Sequence, residues 1–247
     1  MDLRGLVPVA VLLVGWEAVS RSGLTDPRIV PPLEGLLGLL RVEVAQQSLL
    51  ANLAASVVRD LTGFAIGASI GVAGGVLLGL SPLASVLLRP SFDVFRQIAL
   101  FAWIPLIAMW FGIGEASKIV FVALAAFTPT LINTVEGTRS ASLRLVEVGT
   151  LLRYRRWQML HAIYLPAALP SILTGVHLAL IQSWLATIGA EYFMTAGPGI
   201  GTLIIEGRDR FQMGQTVLGM ILIGVVGFLL NRIARAAEHW LLRWRVA

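Results

Sequence analysis

From Leu61 to Leu80 the chain carries no charged side chain. As a helix, a stretch of that length reaches across the roughly 30 Å hydrocarbon core of a bilayer. No water reaches backbone N–H and C=O groups there, so only a helix or a closed barrel satisfies them. Similar apolar stretches occupy Leu3–Val19, Ile98–Gly112, Ile119–Val135, Ile172–Ala190 and Val217–Leu230, which predicts six spans. Of 247 residues, 57% are hydrophobic and 13% charged, more apolar surface than a soluble domain of this size can hide. The expectation is an all-α, polytopic transmembrane bundle, one domain over residues 1–247.

The spans carry their own punctuation. Gly63, Gly67, Gly71, Gly75 and Gly79 recur every four residues along the first of these stretches. Residues four apart lie on neighbouring turns, so the glycines form a ridge without side chains that another helix can approach closely. A hinge or a pore-facing groove is the alternative use of the same ridge. Ser81-Pro82 ends the pattern, and Pro105 is expected to kink or interrupt the span around it. Asp26, Pro27, Pro31 and Pro32 mark a loop, and Leu33–Val44 reads as a short surface helix. A secretory signal peptide competes for Leu3–Val19, but Trp16 and Glu17 sit badly in a cleavage region.

The longest polar interruption of the second half runs from Arg139 to Pro170, with Arg139, Arg144, Arg153, Arg155 and Arg156. It must lie outside the hydrocarbon, and loops rich in arginine stay on the cytoplasmic side. It reads as two short helices, the second with an apolar stripe of Trp157, Leu160, Ile163 and Tyr164 and an end near Leu165, since Pro166 follows. Six spans then leave both termini inside, with Arg232, Arg235, Arg243 and Arg245 as a basic inner tail. Arg59, Asp60, Glu115 and Lys118 fall at the outer interface.

The frame Glu147-Val148-Gly149, Trp157 and Ile163-Tyr164-Leu165-Pro166 resembles the EAA loop of binding-protein-dependent ABC importer permeases. That family has Glu-Ala-Ala, a later glycine and Ile-x-Leu-Pro. Here Val148-Gly149 replaces the alanine pair and Arg153 stands at the glycine. Glycine there could take the left-handed conformation at a helix end, so Arg153 either bears that strain or moves the turn toward Tyr154. The segment from Trp110 to Ile119, with Pro129, Asn133, Thr134 and Gly137, is similar to the branch importing sulfonates, taurine and nitrate. Gly197-Pro198-Gly199-Ile200-Gly201 is like the glycine turn before that family's last helix.

The resemblance implies a type I ABC importer permease fold in the cell inner membrane. It implies two copies of the chain, a cytoplasmic ABC ATPase dimer and an extracytoplasmic solute-binding protein. Glu147, Gly149, Leu151, Arg153, Trp157, Leu165 and Pro166 would couple this loop to the ATPase. No cofactor is expected in this chain, with ATP and Mg on the partner ATPase.

The residues themselves exclude several chemistries. There is no cysteine and no Walker A sequence, and His161, His177 and His239 do not form a HExxH pair. No catalytic group and no metal site is expected. The positive charge reads as topology and lipid headgroups rather than nucleic acid. Gln182, Trp184 and Glu191 are candidates for the solute pathway, or glue between helices. An ion-coupled transporter with Glu17, His177 and Glu191 as a relay stays open as an alternative, as does a membrane-embedded enzyme. No span offers a cluster of arginines to hold an anion.

Overall fold

The computed structural model describes residues 6–22, 26, 29–45 and 48–242. Leu3, Arg4, Pro27, Arg28, Arg243 and Arg245 lie outside the described residues. The described residues form helices and turns with no strand: α1 (Leu6–Arg21), α2 (Leu33–Ala45), α3 (Ser48–Leu80), α4 (Pro82–Phe95), α5 (Ile104–Phe111), α6 (Glu115–Arg139), α7 (Leu143–Leu151), α8 (Arg156–Met159), α9 (Leu165–Phe193), α10 (Ile200–Asp209) and α11 (Met213–Leu241). Four are long and apolar enough to cross a membrane: α3, α6, α11 and the continuous run Arg156–Phe193. A fifth candidate is a pair of helices, Pro82–Phe95 and Leu100–Phe111, bent by 93°, the shape of a broken span or a re-entrant loop. The sixth candidate, α1, has 16 described residues.

The centre is built on close approach. Gly63 faces Val122, Gly71 faces Thr130, and Gly75 faces Thr134, so α3 and α6 run parallel in constant register. A Cβ at Gly71 would lie 2.8 Å from Thr130 Cβ and 2.9 Å from Phe127 O. The threonines suit this seam because their hydroxyls turn back onto their own helix. Thr130 Oγ1 donates to Ala126 O at 2.9 Å, and Thr134 Oγ1 to Thr130 O at 2.7 Å. Polar hydrogen is thereby satisfied without water. On its other side α6 packs antiparallel on α9: a Cβ at Gly137 would meet Ala168 O at 2.9 Å, and one at Gly175 would meet Asn133 Cβ at 2.6 Å.

Two expectations about breaks need correction. The stretch predicted as a span at Ile98–Gly112 holds only the second leg of a bent pair, whose first leg is α4. Ser81 caps α4 by accepting Ala84 N at 3.2 Å, with Pro82 in the first turn. Phe92 and Phe95 of α4 reach Phe127 in the middle of α6. The chain then breaks at Arg96–Ala99, passes through a 3-10 turn (Leu100–Trp103), and Ile107 of α5 buries with Phe121, Ala190 and Met194. The break precedes Pro105, which sits in the first turn of α5, where a proline costs no hydrogen bond. The helix after Trp157 does not end near Leu165. A π turn (Leu160–Tyr164) widens the backbone ahead of Pro166, with Leu165 N bonded to Leu160 O, and the helix runs on to Phe193. The wider turn moves the carbonyl that the proline ring would strike.

Candidate functional site

Two ends of the bundle differ, one carrying the Arg139–Pro170 loop and the other the glycine turn. At the turn end Arg59 lies inside the protein at 2% exposure, not at an interface. It donates Nε to Glu115 Oε2 at 2.8 Å and Nη2 to Glu115 Oε1 at 2.6 Å, a bidentate pair. Nη2 also reaches Pro198 O at 3.1 Å, and Nη1 donates to Glu191. Glu191 accepts Ser56 Oγ at 2.6 Å and Gly201 N at 2.7 Å. Ser56 Oγ in turn accepts Ile200 N at 2.9 Å, and Asn52 Oδ1 accepts Gly199 N at 3.0 Å. Lys118 Nζ donates to Ala196 O. Buried charges persist only when paired and fully bonded. This network achieves that by tying α3, α6 and α9 to the turn.

The turn is glycine-rich because a carboxylate fills it. A Cβ at Gly199 would lie 2.5 Å from Glu191 Cδ, and one at Gly201 2.7 Å from Glu191 Cβ. Gly197 takes φ +80, which suits glycine. The turn thus cradles an internal anion. Next to the network, Asp60 is fully buried, accepts Thr187 Oγ1 at 3.2 Å, and leaves Oδ2 without a partner.

Halfway along the bundle, a cavity of about 390 Å³ opens beside the break in the α4–α5 crossing. Arg96, Gln97, Trp103, Thr128, Pro129 and Gln182 line it. Irregular backbone at this depth is tolerated where it faces such a space. Of the three pathway candidates only Gln182 is there. Trp184 instead donates Nε1 to Ile223 O at 3.2 Å on α11, and Glu191 is locked to Arg59. The proposed relay is also dispersed: Glu17 accepts Leu33 N at 3.0 Å, His177 meets Asn231 at 2.7 Å, and neither shares a partner with Glu191. Among the described residues no group of three His, Asp or Glu could hold a metal ion.

Toward the loop end a second cavity, of about 230 Å³, is lined by Arg89, Arg96 and Arg139. The expectation that no span gathers arginines is therefore corrected. Arg89 and Arg96 lie two turns apart on α4 and its C-cap, and distant Arg139 joins them because α4 folds back along α6.

In the loop, α7 ends in a Schellman motif. Tyr154 N bonds Gly149 O at 2.9 Å and Arg153 N bonds Thr150 O at 3.0 Å. Arg153 occupies its left-handed position at φ 53 and so bears the strain. Gly149 is buried, and a Cβ there would lie 2.6 Å from both Ile163 Cδ1 and Met159 Sδ. Those side chains clamp α7 against the π turn. Glu147 is exposed, Leu151 is 82% exposed and Trp157 70%. Leu165 and Pro166 lie where α9 begins.

The profile of binding-protein-dependent transport system inner membrane components matches residues 63–245. The chain belongs to this family. The permease is 34% identical over 243 residues to the putative aliphatic sulfonates transport permease SsuC of Bacillus subtilis (strain 168), covering 98% of this chain and 88% of that one. It is 31% identical to the taurine transport permease TauC of Escherichia coli (strain K12), with 96% and 87% covered. The nitrate import permease NrtB of Synechocystis sp. (strain ATCC 27184 / PCC 6803 / Kazusa) is 32% identical, with 93% and 86% covered. A chain of the inward-facing MetNI methionine ABC transporter superposes with TM-score 0.62 at 20% identity, over 78% of this chain and 98% of that one. That likeness shows the type I ABC permease fold.

For this permease, a multi-pass membrane subunit, sequence reasoning found the loop and missed the buried lock. Arg59 and Asp60 precede a charge-free span and read as an interface pair. The available signal was a five-residue turn with three glycines following Glu191.

Proposed function

We propose that two copies of this permease form the passage of an ATP-driven importer for a small anion. The relatives named for aliphatic sulfonates, taurine and nitrate support that substrate class. An extracytoplasmic binding protein would deliver the solute to the turn end. A cytoplasmic ATPase dimer would dock on the Arg139–Pro170 loop, and both termini would lie in the cytoplasm, following the arginine bias.

The observation that carries this reading is the exposed loop built into a span. Leu151 and Trp157 present exposed apolar surface, and α8 continues without a gap into α9. A push on Trp157 is therefore a push on the helix that holds Gln182 at the cavity. Alternating access follows if ATP closure rocks α9 against the α3–α6 pair. Glu147, Leu151 and Trp157 form the centre of the docking surface and Arg153 its edge.

Solute-stimulated ATPase activity in proteoliposomes, with ATPase and binding protein supplied, tests this. Glu147→Ala and Trp157→Ala should leave basal hydrolysis present and abolish its coupling to import. Normal coupling in both variants would remove the loop from the mechanism.

A further inference from the structure

The arginine-lined cavity lies apart from the buried lock and from the docking loop. Arg89, Arg96 and Arg139 line it together with Asp93, Glu136 and Ser85. Arg96 also lines the cavity at the helix break, so one guanidinium borders both spaces. Arginine in the middle of a bilayer is costly and persists where it faces a wet cavity.

The pairing of these arginines is loose. Arg96 Nε lies 3.2 Å from Asp93 Oδ1 and Arg89 Nε 3.8 Å from Asp93 Oδ2, and all three side chains are more than two-fifths exposed. Exposed pairs of this kind contribute little and exchange readily. Arg139 is oriented through Nη2, which reaches Ser85 Oγ at 2.8 Å and Leu78 O at 3.3 Å. Three arginines thus line a space several waters in size, and among the described residues the one carboxylate paired with any of them, Asp93, serves two. A guanidinium fork matches the planar edge of an oxyanion.

We infer that Arg96, with Arg89 and Arg139, forms a receiving site for an oxyanion leaving the helix-break cavity, and that Asp93 is the internal counter-ion the passing anion displaces. This rests on the importer reading above. The same chemistry would hold the phosphate of a lipid headgroup, and the test separates the two.

Proteoliposomes carrying the permease, its ATPase and its binding protein are assayed for uptake of labelled nitrate, bicarbonate and methanesulfonate. Vesicles are made either of phosphatidylcholine alone or with phosphatidylglycerol. For the anion that wild type imports, Arg96→Gln should lower kcat about ten-fold, the scale of one charge-assisted hydrogen bond. The KM, set at the binding protein, should hold, and Arg96→Lys, which keeps the charge but not the fork, should recover only part of the rate. Asp93→Asn should strengthen inhibition of import by the same anion loaded inside. Wild-type rates in Arg96→Gln with import intact would overturn the receiving site alone. A defect confined to phosphatidylglycerol vesicles would assign the arginines to lipid. No wild-type import of any of the three anions would overturn the substrate reading, and this inference with it.

Discussion

The two ends of the permease handle charge in opposite ways. At the turn end Arg59 is sealed and bonded to fully buried Glu191, while its bidentate partner Glu115 opens to the surface. At the loop end Arg89, Arg96 and Asp93 pair across longer distances with their side chains half open. A buried ion pair is costly to disturb because removal of one partner strands the other. An exposed pair is worth roughly 0–1 kcal/mol and reforms freely. Rigidity therefore concentrates at the turn end and adaptable charge at the loop end, the distribution a passage needs if one end is shut while the other receives solute.

Breaking the sealed end should give the largest effect. Arg59→Ala strands Glu191 among Ser56, Gly199 and Gly201, at a cost of about 3–5 kcal/mol. Thermal unfolding in detergent should show a large fall in Tm, with Arg59→Lys intermediate. A Tm within experimental scatter of wild type would mean the lock does not hold the turn end together.

The glycine seam ranks next. Gly71→Leu or Gly75→Leu forces a side chain against Thr130 or Thr134. Overpacking of this kind costs roughly 1–3 kcal/mol, and more where backbones meet. Reduced monomer yield and lower Tm are expected, and unchanged values in both variants would remove the ridge from the packing account.

The loop end sharpens the comparison with smaller numbers. Trp157→Ala should move stability by about 0.5 kcal/mol or less, since its ring is mostly in solvent, even though coupling is expected to fail. A large loss of Tm would show that Trp157 supports the fold instead.

The smallest effect tests strain. Arg153 sits at φ 53, and non-glycine residues reach that region at a cost of about 1 kcal/mol. Arg153→Gly should raise Tm by a degree or two with coupling kept, while Arg153→Val should lower it. Phe211 fills the same position of a second Schellman motif after α10, at φ 55, so Phe211→Gly should behave alike. A fall in Tm for both glycine variants would mean that contacts of the larger side chains outweigh the strain.

What could be read from the residues was local. A charge-free stretch of spanning length, a four-residue glycine period, and the spacing from Glu147 to Pro166 each report on neighbours along one helix. Their physics, backbone satisfaction in lipid and close helix approach, needs no knowledge of distant partners. The family resemblance marked Arg153 as the place of a left-handed turn and left open whether it bore the strain or shifted the turn; its φ of 53 decides for the strain. Even so, local rules failed at Pro166, where a single π turn absorbed the proline and let the helix continue. Only the tertiary structure decided the rest. Arg59 and Glu191 are neighbours because α3 and α9 run antiparallel beside α6. Arg89, Arg96 and Arg139 share a cavity because α4 returns along α6 and breaks at its middle. Which charge is sealed and which is left open is set by the elements that pack around it, and a charge carries no mark of that in the sequence.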